Sequence, residues 1–500
     1  MSLINKFNSL DKYTRYSLII IILFSVIAFS LASIYHISGD GCWYMSISRF
    51  MAENKKIPLF EPLGRDEPFW SPPLYHMLAA SVYFVFNSFS HNAANFAVKL
   101  ISPIFGILSL IISFLVIKKL TNSKIAFYST IFLAFIPIFI DYSVLSYVES
   151  MLVFFVLLSV YFLLNGRIYL SGIAAGLSIL TKYNGLFIIP VLVYILYKKY
   201  NEDMGLFYKN SAIIISLSLL IPSPWFIRNW ILLGNPIWPF LNFIFNGYNL
   251  KSYSVFDYNK LISPNLIVST YFGIFGVPDG NYALFSALNI SYLKILLPIW
   301  ILGTFIFLIP LFIGFFSKNI KEKATLWLWI ASYFVLFLLY VPNVGFGVSR
   351  IILPAFAALA VFWAFGLERL LSDAKLGRIF QFCLILVAVG FVFTSFAKFY
   401  YASSSWDFYN EDFSWVKSST DEDSVFIANG QCLPYNLERT SLYFEEDNFQ
   451  KADYVWVNQN FWLDRKSVLD DNSLKQLQAK NYNITYSNPE TGTKIYKTRQ

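Results

Sequence analysis

Charges are scarce in this chain, and several of them interrupt sequence that is otherwise apolar. Asp40 stands between Gly39 and Gly41 in "HISGDGCWYMSISRFM", directly after an uncharged run from about Tyr16 to Ile34. Glu149 opens "ESMLVFFVLL", and Lys182 sits inside "GLSILTKYNGLFIIP". Asp66, Glu67 and Asp141 add acids, and Arg228 and Arg350 add bases, near what reads as the same membrane edge. An ionisable group at that depth is costly and is a functional candidate by default, although any one of them alone is equally explained as a helix-end charge in water. A carboxylate at a dry boundary is desolvated and becomes a better base, which suits Asp40 to taking a proton from a hydroxyl. Gly39 and Gly41 would let the backbone approach a substrate closely. Guanidinium offers a planar donor fork matched to phosphate and ammonium offers a point charge, so Lys182, Arg228 and Arg350 are the phosphate candidates. Glu149 would position an acceptor or orient a cation. Glu67 and Asp141 are candidates for substrate contact. Trp43 and Tyr44 suit packing against a substrate ring, with anchoring at the interface the plainer reading. His76, in "PPLYHML", could hydrogen-bond substrate, though a lone histidine in an apolar helix is more often structural.

These residues need elements to hold them, and composition says which. The 500 residues are 57% hydrophobic, 20% aromatic and 14% charged, against about 25% charged in a soluble domain. Several apolar runs reach the roughly 18 residues that suggest a membrane span. The formal net charge of +8 gathers in short loops: Lys118, Lys119 and Lys124; Lys198, Lys199 and Lys209; Lys318, Lys321 and Lys323; Arg369, Lys375 and Arg378. That is the positive-inside pattern and not a nucleic-acid signature. With Lys6, Lys12 and Arg15 also inside, spans are read at 16–36, 98–117, 125–141, 147–164, 168–182, 184–198, 210–227, 291–316, 324–341, 350–370 and 378–398. The expectation is an α-helical polytopic protein with about eleven spans. The first run is too long, and lacks the small-residue site, for a cleaved signal. Segment 72–90 is apolar enough to cross, but counting it would turn the basic loops outward, so it reads as juxtamembrane or half-embedded.

A transmembrane catalytic domain is thus expected over 1–399, with outer loops at about 37–97 and 228–290, followed by an extracytoplasmic soluble α/β domain over 400–500. In that tail "DEDSVFIANG", "ADYVWVNQN", "YNITYSN" and "TKIYKTR" read as short strands, and "DNSLKQLQAK" as a helix. The three cysteines, Cys42, Cys383 and Cys432, have no metal-ligand spacing. Cys42 and Cys432 share the outer compartment, so a bridge is open to them, but free thiols are the expected state. No internal repeat is found, and the large elaborations fall on one side, which favours chemistry over transport.

"GDGCWYMSISRFM" with "EPFWSPPLYHML" resembles the first outer loop of the GT-C type lipid-linked-sugar glycosyltransferases, among them the protein O-mannosyltransferases and the lipid A aminoarabinose transferases. "SYVESMLVFFVLL", "GLSILTKYNGLFIIP", "PWFIRNWILLGNPIWPF" and "SRIILPAFAALA" resemble later elements of that family in the same order. The pattern departs where Asp40 is followed by Gly41, since many members carry a second acid there, and where Glu149 replaces an Asp. The resemblance implies a GT-C fold and a membrane glycosyltransferase. Such an enzyme would move a sugar from a polyprenyl-phosphate donor to a lipid, glycan or protein acceptor outside the cytoplasm, in a single inverting displacement. No cofactor is assigned and a divalent metal is left open. The rival readings are a transporter or flippase of lipid-linked saccharides, and a non-catalytic membrane scaffold.

Overall fold

The computed structural model describes residues 7, 9–62, 67–248, 264–276, 291–318, 320–344, 349–428, 432–443, 446–458 and 482–497. Asp66, parts of the loop 228–290 and the helix expected at "DNSLKQLQAK" lie outside the described residues. In chain order the helices are α1 (Lys12–Ile34), α2 (Asp40–Asn54), α3 (Leu74–Asn87), α4 (His91–Lys99), α5 (Ile101–Leu120), α6 (Ser123–Phe135), α7 (Pro137–Tyr142), α8 (Glu149–Leu164), α9 (Ile168–Thr181) and α10 (Ile189–Tyr200). They continue as α11 (Met204–Leu220), α12 (Ser223–Leu233), α13 (Asn242–Phe245), α14 (Pro264–Phe275), α15 (Ser291–Phe315), α16 (Lys323–Val344), α17 (Phe356–Leu370), α18 (Ala374–Asp407) and α19 (Asn410–Ser419). Strand β1 (Val425–Ile427), helix α20 (Leu433–Leu437) and strands β2 (Thr440–Leu442), β3 (Tyr454–Asn458), β4 (Asn483–Asn488) and β5 (Thr493–Lys497) complete the chain.

Among the described residues, six helices are long and apolar enough to cross a membrane, or seven if the pair α11 and α12, bent by 50°, counts as one span. The chain is an integral membrane protein. Four expected spans, 125–141, 147–164, 168–182 and 184–198, form shorter pieces, and the backbone says why for most of them. Pro137 holds Ile136 in extended backbone (φ −74°, ψ 126°), which separates α6 from α7. Lys182 is also extended (φ −158°, ψ 139°), which ends α9 before the 3-10 turn Tyr183–Ile188. Pro222 and Pro224 fall at the bend between α11 and α12.

The chain divides into two compact units. The first comprises Met1–Ser33, Trp70–Tyr75 and Leu100–Lys398. Its helices meet through small residues: a Cβ built on Gly314 would lie 1.8 Å from the Phe362 carbonyl oxygen, and one on Gly366 1.8 Å from that of Pro310. Only hydrogen fits where α15 and α17 cross, the close approach that membrane helices favour. The Trp363 indole N–H donates to the Phe307 carbonyl at 2.6 Å across the same pair.

Ion pairs in this unit follow the expected alternation of helix ends. Lys118, at the end of α5, reaches Asp11 at 3.1 Å just before α1; Lys124 pairs with Glu368 at 2.9 Å, and Lys198 with Glu322 at 2.7 Å. All three join ends that the basic-loop reading puts on one side. The Lys118–Asp11 pair brings the start of α1 next to the end of α5.

The second unit comprises Ile34–Phe69, His76–Lys99 and Phe399–Gln500, so the tail packs with most of the first outer loop. Its sheet has the order β2-β1-β3-β5-β4. Strand β1 runs parallel to β2 and β3, and β5 runs antiparallel to β3 and β4. Ile427, Phe449, Ala452, Val455 and Val457 form one core on it. Asp412 is buried and accepts from Tyr486 Oη (2.7 Å), Asn488 Nδ2 (2.8 Å) and Thr493 Oγ1 (2.6 Å), which fastens the β4–β5 hairpin to α19. Contrary to the expectation of free thiols, Cys42 and Cys432 form a disulfide, Cα to Cα 4.8 Å. Loop-closing folds of this kind set residues 390 apart side by side, a proximity that spacing along the chain cannot reveal.

Candidate active site

In the first unit Glu149 is the first residue of α8 and is only 1% exposed. Burying a lone carboxylate would be prohibitive, so it must be paired. Lys182 Nζ donates to its Oε1 at 2.7 Å, and Arg350 Nε lies 3.7 Å from the same oxygen. Lys182 comes from the break after α9 and Arg350 from the 3-10 turn Ser349–Ala355 before α17, so three chain breaks converge on one carboxylate. The Arg350 guanidinium also stands over the Tyr147 ring, 5.4 Å from its centroid.

Next to Lys182, the Tyr183 hydroxyl accepts from Trp225 Nε1 (2.9 Å) and Asn229 Nδ2 (3.1 Å) and donates to the Trp70 carbonyl (3.3 Å). Arg228 is half-buried on the same helix as these donors. It donates to Asn229 Oδ1 at 2.8 Å and stacks over Trp225 at 4.5 Å. The three candidate cations are therefore linked through Glu149 and Tyr183, but only Lys182 and Arg350 share a direct partner. Asp141, on α7, is 1% exposed and ion-paired with Lys398 of α18.

In the second unit Asp40 is the first residue of α2 and is half-buried. Gly39 before it has φ 57° and ψ −139°, a conformation open to glycine and strained for any other residue. An acid in a first helical turn is favoured by the helix dipole, which would account for Asp40 without chemistry. Trp43, Tyr44 and His76 come together with Phe69 in a buried aromatic cluster. The His76 ring lies 5.5, 5.3 and 5.2 Å from Trp43, Tyr44 and Phe69. Glu67 adjoins the isolated bridge between Phe60 and Pro68, where its carbonyl accepts from the Glu61 N–H at 2.9 Å.

Lys398, Tyr147 and Tyr183 are among the participants not singled out from the sequence. Lys398 had a signal, a lone cation at the end of the last apolar run "FVFTSFAKFYY". Tyr147 and Tyr183 had none in a chain with 33 tyrosines. Among the described residues no group of three or more His, Cys, Asp or Glu could hold a metal ion. Glu149 is taken by Lys182 and Arg350, and Asp141 by Lys398.

The family model for dolichyl-phosphate-mannose-protein mannosyltransferases matches residues 71–227. No curated protein matches the sequence. Among solved structures, ArnT from Cupriavidus metallidurans bound to undecaprenyl phosphate is similar at a TM-score of 0.62 with 15% identity, over 96% of this chain and 97% of that one. The oligosaccharyltransferase of Archaeoglobus fulgidus gives 0.55 and 14%, over 98% of this chain and 75% of that one. The mycobacterial arabinofuranosyltransferase AftD gives 0.57 and 10%, over 97% and 40% respectively. The resemblance read from the sequence holds, and the chain is a membrane protein with the GT-C glycosyltransferase fold.

Proposed function

We propose that this protein is a glycosyltransferase that moves a sugar from a polyprenyl-phosphate carrier to an acceptor hydroxyl outside the cytoplasm. The observation that carries this reading is the pair of cations, Lys182 and Arg350, held by one buried carboxylate at helix ends opposite to those joined by Lys124–Glu368 and Lys198–Glu322. A phosphate that leaves with the electron pair of its bond to the sugar needs such cations. The undecaprenyl phosphate bound to ArnT, and the dolichyl-phosphate-mannose donor in the matched family's name, support a lipid-phosphate donor here. The Cys42–Cys432 disulfide supports an extracytoplasmic second unit, since disulfides persist in oxidising compartments.

In this reading the acceptor oxygen attacks the anomeric carbon as the carbon–oxygen bond to phosphate breaks, with inversion. Asp40 takes the acceptor proton. Lys182, Arg228 and Arg350 meet the phosphate charge, and Glu149 holds two of these cations in place. Trp43, Tyr44, Glu67, His76 and Asp141 are proposed to shape the substrate sites, the buried aromatics and Asp141 by supporting the residues around them. The test is sugar transfer from a radiolabelled polyprenyl-phosphate sugar by purified protein in lipid nanodiscs. Lipid-dependent incorporation into acceptor supports the reading. Passage of the intact donor across vesicles without transfer would instead favour a flippase.

A further inference from the structure

The second unit contains a cavity of about 410 Å³ that none of the roles above uses. Ligand pockets run from about 300 to 1,000 Å³, so it is large enough for a short saccharide. One wall is α2, which contributes Ser46, Arg49, Phe50 and Glu53; α4 supplies Asn95, and the segment from α20 into β2 supplies Tyr435 and Thr440. We infer that this cavity binds a neutral saccharide, the glycan portion of an acceptor.

The charged groups in and around the wall already have partners, which argues against an anionic ligand. Arg49 donates to Glu53 at 2.6 Å. The buried Arg439 uses all three guanidinium nitrogens, on the Thr420 hydroxyl and on the carbonyls of Lys417, Thr420 and Glu438 at 3.0 to 3.3 Å. Glu438 receives Lys417 at 2.5 Å and has His91 Nε2 at 3.7 Å. What remains for a ligand is hydroxyl and amide groups and one carboxylate oxygen beside aromatic faces. The Ser46 hydroxyl is buried and finds no hydrogen-bond partner among the described residues, and a buried polar atom in that state calls for a polar ligand. Tyr435 and Phe50 offer apolar ring faces to a sugar's C–H surface, while Asn95, Thr440 and the second oxygen of Glu53 offer partners to its hydroxyls. An apolar ligand would leave these groups desolvated and unpaired.

Binding to the cavity goes beyond the transferase reading; that the saccharide belongs to an acceptor rests on it. The experiment is saturation-transfer difference NMR on the full chain in nanodiscs, without donor, using methyl glycosides of the neutral hexoses and N-acetylhexosamines as probes. At least one glycoside should receive saturation, and Glu53→Gln should weaken its binding about tenfold, the worth of one hydrogen bond to a charged group. Thr440→Lys, on a rim position of an edge strand, should block it without touching the core. No saturation transfer to any probe, or binding unchanged in both variants, overturns the proposal. Sugar transfer without cavity binding would sink this site and leave the transferase standing; binding without transfer would do the reverse.

Discussion

Glu149 and Lys182 meet at 2.7 Å, with the carboxylate 1% exposed and Arg350 3.7 Å from the same oxygen. A surface pair of this kind would be worth little, but removing one partner of a buried pair leaves an uncompensated charge and costs about 3–5 kcal/mol. Glu149→Gln should therefore lower the unfolding temperature and also raise the donor KM, because the two cations lose their anchor. Arg350→Lys keeps the charge but not the planar fork or the stacking over Tyr147, so donor affinity should fall there as well. Donor titrations with both variants check this; an unchanged donor KM in both would remove the cluster from the phosphate site.

The disulfide can be tested on the native protein. Alkylation before reduction should label Cys383 alone, and labelling of Cys42 and Cys432 should need prior reduction. Losing a native disulfide typically costs about 2–5 kcal/mol, so Cys42→Ser with Cys432→Ser should unfold at a lower temperature than the parent, and reductant should destabilise only the parent. Quantitative labelling of all three cysteines in unreduced, folded protein would refute the bridge.

Acid should weaken the second unit through His36, two residues beyond the end of α1. Burial pushes this histidine down from 6.5 to about 4, against the opposing pull of its 2.8 Å contact with Asn436. Its ring also stacks on Trp406 at 5.2 Å. The unfolded chain then binds the proton first. The stabilisation is complete above pH 6.5, and about 3 kcal/mol of it is lost as pH falls to about 4. Unfolding temperatures taken at pH 7, 5.5 and 4 should fall in the parent and fall less in His36→Gln. An identical pH slope in both would assign the effect elsewhere.

The apolar character of the longest helices was legible in the sequence, because apolar length is a local signal. Glu149 and Lys182 were also legible, each as a charge in apolar surroundings, but their pairing across 33 residues was not. Lys398 shows the limit: it marks a helix end like any other lysine until Asp141 is seen against it. The grouping of the first outer loop with the tail was hidden for the same reason, since Cys42, His36 and His91 meet their partners, Cys432, Asn436 and Glu438, only in the tail. The runs that hold α6, α7 and α9 are cut where proline or an extended residue interrupts them, a distinction that hydropathy does not make.

Asp40 is the residue on which the proposed chemistry turns. It opens α2 directly after Gly39, whose backbone only glycine adopts without strain, and two residues before Cys42, which the disulfide fixes to the tail. A rigid mount of this kind suits a base that must be held in place. General-base catalysis contributes about 10²–10⁴-fold, so Asp40→Asn should lower turnover by about that factor with the donor KM little changed. Asp40→Glu should lose about 10²-fold, since one added methylene displaces the carboxylate by about 1 Å. The competing account is an acid that merely favours the start of α2, worth about 0.3–1 kcal/mol of stability and nothing in rate. Turnover and unfolding temperature, measured on the same purified variants, separate the two. A large loss of turnover at unchanged stability identifies a base, whereas a small drop in stability with near-normal turnover makes Asp40 a helix-start residue and passes the base to another acid.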